Sequence, residues 1–380
     1  MKIVQLKKEV NSDFKYISEP QNLKFPLVLV FGSRLILENE TIFYKVKSLF
    51  PDGHIVFGST AGTITSKTVD DTSVVITAIE FERSTFIVKK STVLSPTKNI
   101  VNSINVGREL ISKFPTQNLK HIFIVSEGSF INGSQLTVGL NSVPINNLRI
   151  TGALCGDASR FEKTLCSYNE APKEGEVIAI GFYGDRLEVT SASNGGWIPF
   201  GPTRKVTKSK ENILYQIDDK PALDLYKKYL GDKSKELPAA ALLFPLSVTV
   251  KNSKKPVTRT ILSIDEKNST MLLAGEIPEG SSVQLMMTNV DQILSASESA
   301  TQKAINQRKN NPELAILVSC IGRKLVLDQR VEEEVEEVQS VVGNTTFISG
   351  LYSYGEIAPF DDENECQLHN QTIAVTLISE

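Results

Sequence analysis

The chain has 380 residues, 41% hydrophobic and 22% charged, and 41 Lys+Arg against 44 Asp+Glu leave a formal charge of −3. That composition excludes an intrinsically disordered or low-complexity chain. The near-neutral balance gives no electrostatic basis for binding nucleic acid or an anionic membrane, and the length suits two domains or one large one.

The N-terminal MKIVQLKKEVNSDFKYISEP lacks the apolar core of a signal peptide, and residues 1–25 read as an extension. A repeated unit follows. An apolar strand runs into a turn and a helix, then a strand ending in paired glycines, then a returning strand. The first copy has LVLVFGS (27–33), a helix near 38–50, IVFGSTAG (55–62) and VVITAIEF (74–81). The second has IFIVSEG (122–128), a helix near 134–143, RITGALCG (149–156) and VIAIGFYG (177–184). The third has AILVSCIG (315–322), a helix near 329–342, FISGLYSYG (347–355) and TIAVTLIS (372–379). Continuous apolar runs of this kind are strands buried on both faces. Val331, Val335, Val338 and Val342 form one helical face, and Gly343 stands where a C-terminal cap belongs. Two further helices are expected over 99–114 and 290–308. The return strands read as antiparallel additions, so the fold class is α/β with mixed sheets flanked by helices, two domains packed together. A boundary is expected near 220–255, between GDKSKELP and KNSKKP, with the third unit after it. The uncharged stretch Leu237–Val250 is too short to span a bilayer and contains Pro238 and Pro245.

Chemical motifs are sparse. No phosphate loop, dinucleotide fingerprint, zinc or calcium spacing is present, and no enzyme is expected. GSTAG (58–62) places its serine one position early for a nucleophile elbow, so Ser59 reads as a turn serine. His54, His121 and His369 are scattered and read as structural. The acidic run Glu332–Glu337 reads as a solvated helix face, and DDENE (361–365) as an exposed loop. Four cysteines without a C-x-x-C pair suit a reducing, cytoplasmic setting.

The glycine pairs Gly58/Gly62, Gly152/Gly156 and Gly350/Gly355 recur at equivalent places. They are expected to bring three turns to one sheet edge, where open α/β sheets bind ligands. The expected ligand set is therefore Ser59, Thr60, Gly62, Cys155, Gly156, Asp157, Ser319, Cys320, Arg323, Tyr354, Gly355, Glu356, Asn370 and Thr372. Arg323 and Glu356 follow strands expected to be neighbours. As a pair they are either a structural salt bridge or a fork for a zwitterion or carboxylate.

The VFGSTAG turn, INGSQLTVGL with ITGALCGD, and GGWIPFGPTRKVTKSKENILYQIDDKPALDLYKKYLG resemble the N-terminal part of FIST-domain proteins. GEIPEGSSVQLM, SCIGRK, GLYSYGEIAP and LHNQTIAVTL resemble the C-terminal part. The resemblance implies an N-terminal domain over 26–220 and a C-terminal domain over 221–380. It also implies a sensory, signal-transduction role with small ligands, amino acids among them, and a partner protein such as a histidine kinase or cyclic-dinucleotide enzyme. With about 25 residues before the first unit, no output module is expected in the chain, so the signal passes by contact. Some relatives look like haem-binding nitric-oxide sensors, but no histidine here matches a haem-ligand motif and no cofactor is expected. A haem-based gas sensor and a ligand-free interaction scaffold are the alternative readings.

Overall fold

Each of the three apolar units forms its own sheet, with the same strand arrangement in all three. In unit one, Leu27–Ser33 runs parallel to His54–Thr60 and antiparallel to Ser73–Glu80. In unit two, Leu119–Ser126 lies between parallel Arg149–Leu154 and antiparallel Glu176–Tyr183. In unit three, Leu314–Cys320 lies between parallel Phe347–Ser353 and antiparallel Ile373–Ser379. The leading strand is central each time, which is why all seven residues of Leu27–Ser33 and of Leu314–Cys320 are buried. The computed structural model describes the chain except residues 95–99, 144, 146, 238, 252–254 and 361–362. Parts of the expected KNSKKP linker and DDENE loop, and the first residue of the expected 99–114 helix, lie outside the described residues.

Two regularities extend the repeat. An additional antiparallel strand flanks every return strand: Lys2–Glu9 in unit one, Thr85–Thr92 in unit two and Glu188–Asn194 in unit three. The N-terminal residues are thus not a loose extension, since Lys2–Glu9 is built into the first sheet. Each unit also lends a short strand to another. Cys166–Tyr168 of unit two pairs with His54–Thr60, Gly355–Pro359 of unit three pairs with Arg149–Leu154, and Thr63–Thr65 of unit one pairs with Phe347–Ser353. The exchange is cyclic, two to one, three to two and one to three, and it locks the units together.

The remaining sheet, eight-stranded and antiparallel where its pairings are given, uses strands between Ile198 and Met287. It is inserted in unit three, between the flanking strand Glu188–Asn194 and the leading strand Leu314–Cys320. The composition change near 220–255 falls inside this insert, and unit three begins before it.

Facing sides of the three repeated sheets share one core, with Leu29 and Phe31 from unit one, Phe123 and Val125 from unit two, and Ile316 and Val318 from unit three. Helices cover the outer sides. Thr41–Leu49 turns Ile42 and Val46 inward, and Gly133–Leu140 packs its Gly139 against the Ser103–Ser112 helix. Asn102 and Asn289 cap Ser103–Ser112 and Val290–Asn306, each accepting from helix N–H groups. The expected 329–342 helix is present from Glu333 to Val342, and a separate short helix, Ile321–Leu327, precedes it and ends at Asp328, whose φ is 49°. Val335, Val338 and Val342 are buried as their spacing requires.

Candidate functional site

The second strands of the three units end in register-equivalent turns, with Thr60, Leu154 and Ser353 each opposite the last residue of the leading strand. Two residues on stand Gly62, Gly156 and Gly355. The turns meet. Ala61 N–H donates to the Tyr352 carbonyl at 2.8 Å, Gly156 N–H to Ser59 at 2.9 Å, and Tyr354 N–H to Leu154 at 3.0 Å. Glycine is required at 156 by close approach, because a Cβ there would stand 2.7 Å from the backbone nitrogen of Ala61.

Beside this junction is a cleft of about 480 Å³. Unit one contributes Ala61 and the Val69–Thr72 segment, unit two Ala158 and Ser159, and unit three Lys324, Leu325, Asp328 and Val331. Its charged groups are three carboxylates, Asp70, Asp71 and Asp328, and one ammonium, Lys324. Lys7 pairs with Asp70 at 2.8 Å and holds its carboxyl below the usual range against the opposing effect of burial. Lys324 Nζ donates to the Ala61 carbonyl at 2.9 Å and pairs with Asp71. Two non-glycine lining residues, Ala158 and Asp328, have φ of 48° and 49°, backbone strain that the surrounding structure must hold in place. The unit-two wall is braced by Tyr354, whose hydroxyl donates to the Ala158 carbonyl at 3.0 Å and whose ring stacks on Phe161 at 4.6 Å.

None of the fourteen expected residues lines the cleft itself. Several are its immediate neighbours in sequence, with Thr60 and Gly62 on either side of Ala61, Asp157 before Ala158 and Arg323 before Lys324. Ser59 is a turn serine, its Oγ accepting from Leu165 N–H at 2.9 Å, and Thr60 Oγ1 accepts from Gly62 N–H at 3.1 Å. Cys155 is buried. Asp157, fully buried, is paired with Arg34 and Arg160, each at 2.8 Å through the guanidinium Nε.

The expected Arg323–Glu356 pair does not form. Arg323 binds Glu334 at 2.6 Å and donates to the Gly195 and Ile293 carbonyls and to Ser297 Oγ. Glu334 also accepts from Ser319 at 2.9 Å and from Tyr352 at 2.5 Å. It is 1% exposed, so the acidic run is not solvated throughout: Glu334 turns inward because Arg323 meets it there. Glu356 lies elsewhere in the core and accepts from Ser353 at 2.6 Å and from the Thr372 hydroxyl at 2.9 Å. Burial pushes its pKa up to about 8. Gly355 packs on Leu154 and Leu368, away from the cleft. Cys320 is buried, which raises its thiol pKa, and Asn370 is buried with both side-chain amide atoms lacking a partner among the described residues.

The histidines are engaged within the protein: His54 with Tyr168 at 2.6 Å, His121 with Thr151 at 2.8 Å, and His369 with the Ala358 carbonyl at 3.0 Å. Burial pulls the His121 pKa down to about 3. Sequence reasoning missed Glu334, Lys324 and the Asp71–Asp328 walls. The signal available was the adjacency of Lys324 to Arg323 within SCIGRK.

Among the described residues, no helix is long and apolar enough to cross a membrane. Uncharacterized protein MJ1623 of Methanocaldococcus jannaschii is 24% identical over 208 residues, which is 50% of this chain and 38% of that protein. The chain thus matches well under half the length of that curated relative. Cyanuric acid hydrolase from A. caulinodans aligns with 78% of this chain and 99% of its own at 10% identity and a TM-score of 0.18. The FIST N domain model matches residues 26–220 and the FIST C domain model residues 222–359, so the chain belongs to the FIST family of signal-transduction sensor domains.

Proposed function

We propose that the protein is a small-ligand-binding sensor whose ligand, an amino acid or a similar zwitterionic metabolite, occupies the cleft at the junction of the three turns. The signal then passes to a separate cytoplasmic partner, such as a histidine kinase or cyclic-dinucleotide enzyme. The observation that carries this reading is the composition of the cleft wall: every unit supplies part of it, so a ligand there bears on all three at once. Its size is in the range of small-molecule sites, about 300–1,000 Å³. Asp71 and Asp328 suit an amine, and Lys324 suits a carboxylate. The reading needs no cofactor and no turnover.

Thermal unfolding of the purified protein against a panel of amino acids tests the proposal. A ligand at a hundredfold excess over its Kd stabilises the fold by about 2.7 kcal/mol. At least one member of the panel is expected to raise the melting temperature saturably. A panel without effect at millimolar concentration overturns the amino-acid reading.

A further inference from the structure

Lys324 stands where the amine of a ligand belongs. Its Nζ meets the Ala61 carbonyl at 2.9 Å, the Asp71 carboxylate, and the face of Tyr352, 5.7 Å from the ring centre. A carbonyl, a carboxylate and an aromatic face together are a recognition set for an ammonium group, with acceptors for N–H bonds and a negative π surface. The lysine side chain is 16% exposed and enters this set from the Ile321–Leu327 helix.

The Ala61 and Tyr352 parts of this set are held by contacts that do not involve Lys324. Ala61 is fixed by its N–H bond to Tyr352 and by the tight passage of Gly156. Tyr352 is fixed by its own N–H bond to Gly62 at 2.8 Å and by its hydroxyl bond to Glu334. Removing the lysine therefore leaves the Ala61 carbonyl and the Tyr352 ring in place, with the half-exposed Asp71 carboxylate beside them.

We propose that the Ala61 carbonyl, Asp71 and the Tyr352 ring form a primary-ammonium subsite, filled by Lys324 as an internal ligand and taken over by the amine of the bound metabolite. This rests on the reading of the cleft as the ligand site. A tethered amine acts at a high effective concentration, so a simple alkylamine does not displace it; a metabolite must add contacts elsewhere in the cleft. Displacement also breaks a tie between the unit-three helix and the unit-one turn, which gives binding a mechanical consequence.

The test is chemical rescue of Lys324→Ala at neutral pH, read as melting temperature. n-Butylammonium is expected to raise the melting temperature of the variant saturably. n-Butanol, which has no charge, and n-butyltrimethylammonium, which has no N–H donor, are expected to leave it unchanged. The native chain is expected to respond to none of them, and adding Asp71→Asn to the variant is expected to abolish the rescue. Equal rescue by n-butanol reduces the effect to apolar filling and overturns the proposal, as does no rescue by the amine. If Lys324→Ala does not fold, Lys324→Cys alkylated with 2-bromoethylamine restores an ammonium, whereas alkylation with iodoacetamide does not; the four native cysteines are buried. Equal melting of the two adducts overturns the proposal. Because none of these probes is the natural ligand, failed rescue leaves the cleft reading standing, and an unresponsive amino-acid panel leaves a successful rescue standing.

Discussion

Arg323 and Lys324 are consecutive residues of one short helix and hold opposite positions in the molecule. The Arg323 side chain is fully buried, and its guanidinium is committed to Glu334, Ser297 and two carbonyls. The Lys324 side chain reaches the cleft and pairs with Asp71, which is half exposed. The contrast teaches that a charged residue beside a glycine turn is buried in the framework or faces the cleft according to which side of the helix it leaves. On Ile321–Leu327 a single position decides.

The largest effect expected from this contrast is on stability at Arg323. Arg323→Ala leaves the Glu334 carboxylate buried with only hydroxyl partners, and removing one partner of such a pair costs about 3–5 kcal/mol. Urea unfolding should show a loss of that size, while replacing both Arg323 and Glu334 by apolar residues of similar volume should recover most of it. A single variant as stable as the native chain would erase the distinction between the two residues.

Glu356 sharpens the comparison for acids. Burial outweighs the bonds from Ser353 and Thr372 and raises its pKa to about 8. The unfolded value is about 4.3, so the folded state keeps a proton that the unfolded state releases. Its contribution is fully present below about pH 4.3 and is lost as the pH rises towards 8, at about 1.4 kcal/mol per pH unit. Glu356→Gln removes that dependence. Between about pH 5 and pH 7.5 the stability of the native chain relative to the variant should fall by on the order of 3 kcal/mol, read from urea midpoints. A constant difference would mean that Glu356 is ionised in the fold like an exposed acid.

The unequal legibility of these groups has a physical origin. The leading, second and return strands are continuous apolar runs buried on both faces, and Leu27–Ser33, His54–Thr60 and Ile373–Ser379 were readable for that reason. The exchanged strands Thr63–Thr65 and Cys166–Tyr168 have three residues each, too few to show a period, and their partners lie in other units. Lys2–Glu9 carries its buried residues as a run of four within a lysine-rich segment, so the charge masked the strand. Glu334 is one of five glutamates in the Glu332–Glu337 run and is set apart by its burial against a partner eleven positions earlier, Arg323. Local pattern reports burial of apolar residues; it does not report which polar residue finds a partner across the fold. The turns were legible from Gly62 and Gly156; of the cleft lining, Ala61, Ala158 and Lys324 lie one position from expected residues, whereas Val69–Thr72, Asp328 and Val331 lie further along the chain and gave no local signal.

The smallest stability effect should come from Asp71→Asn, and it separates the two kinds of site. An ion pair with one partner half exposed is screened by solvent and contributes less than about 1 kcal/mol. The variant should therefore melt close to the native chain, yet lose the rise in melting temperature produced by whichever amino acid stabilises the native protein. Arg323→Ala should do the reverse in kind: a large loss of stability that no ligand in the panel repairs. If Asp71→Asn were to destabilise the fold as much as Arg323→Ala, the lysine and the arginine would belong to one buried framework running from Glu334 through Tyr352 to the Gly62 turn, and the cleft would be a seam in that framework without a binding role.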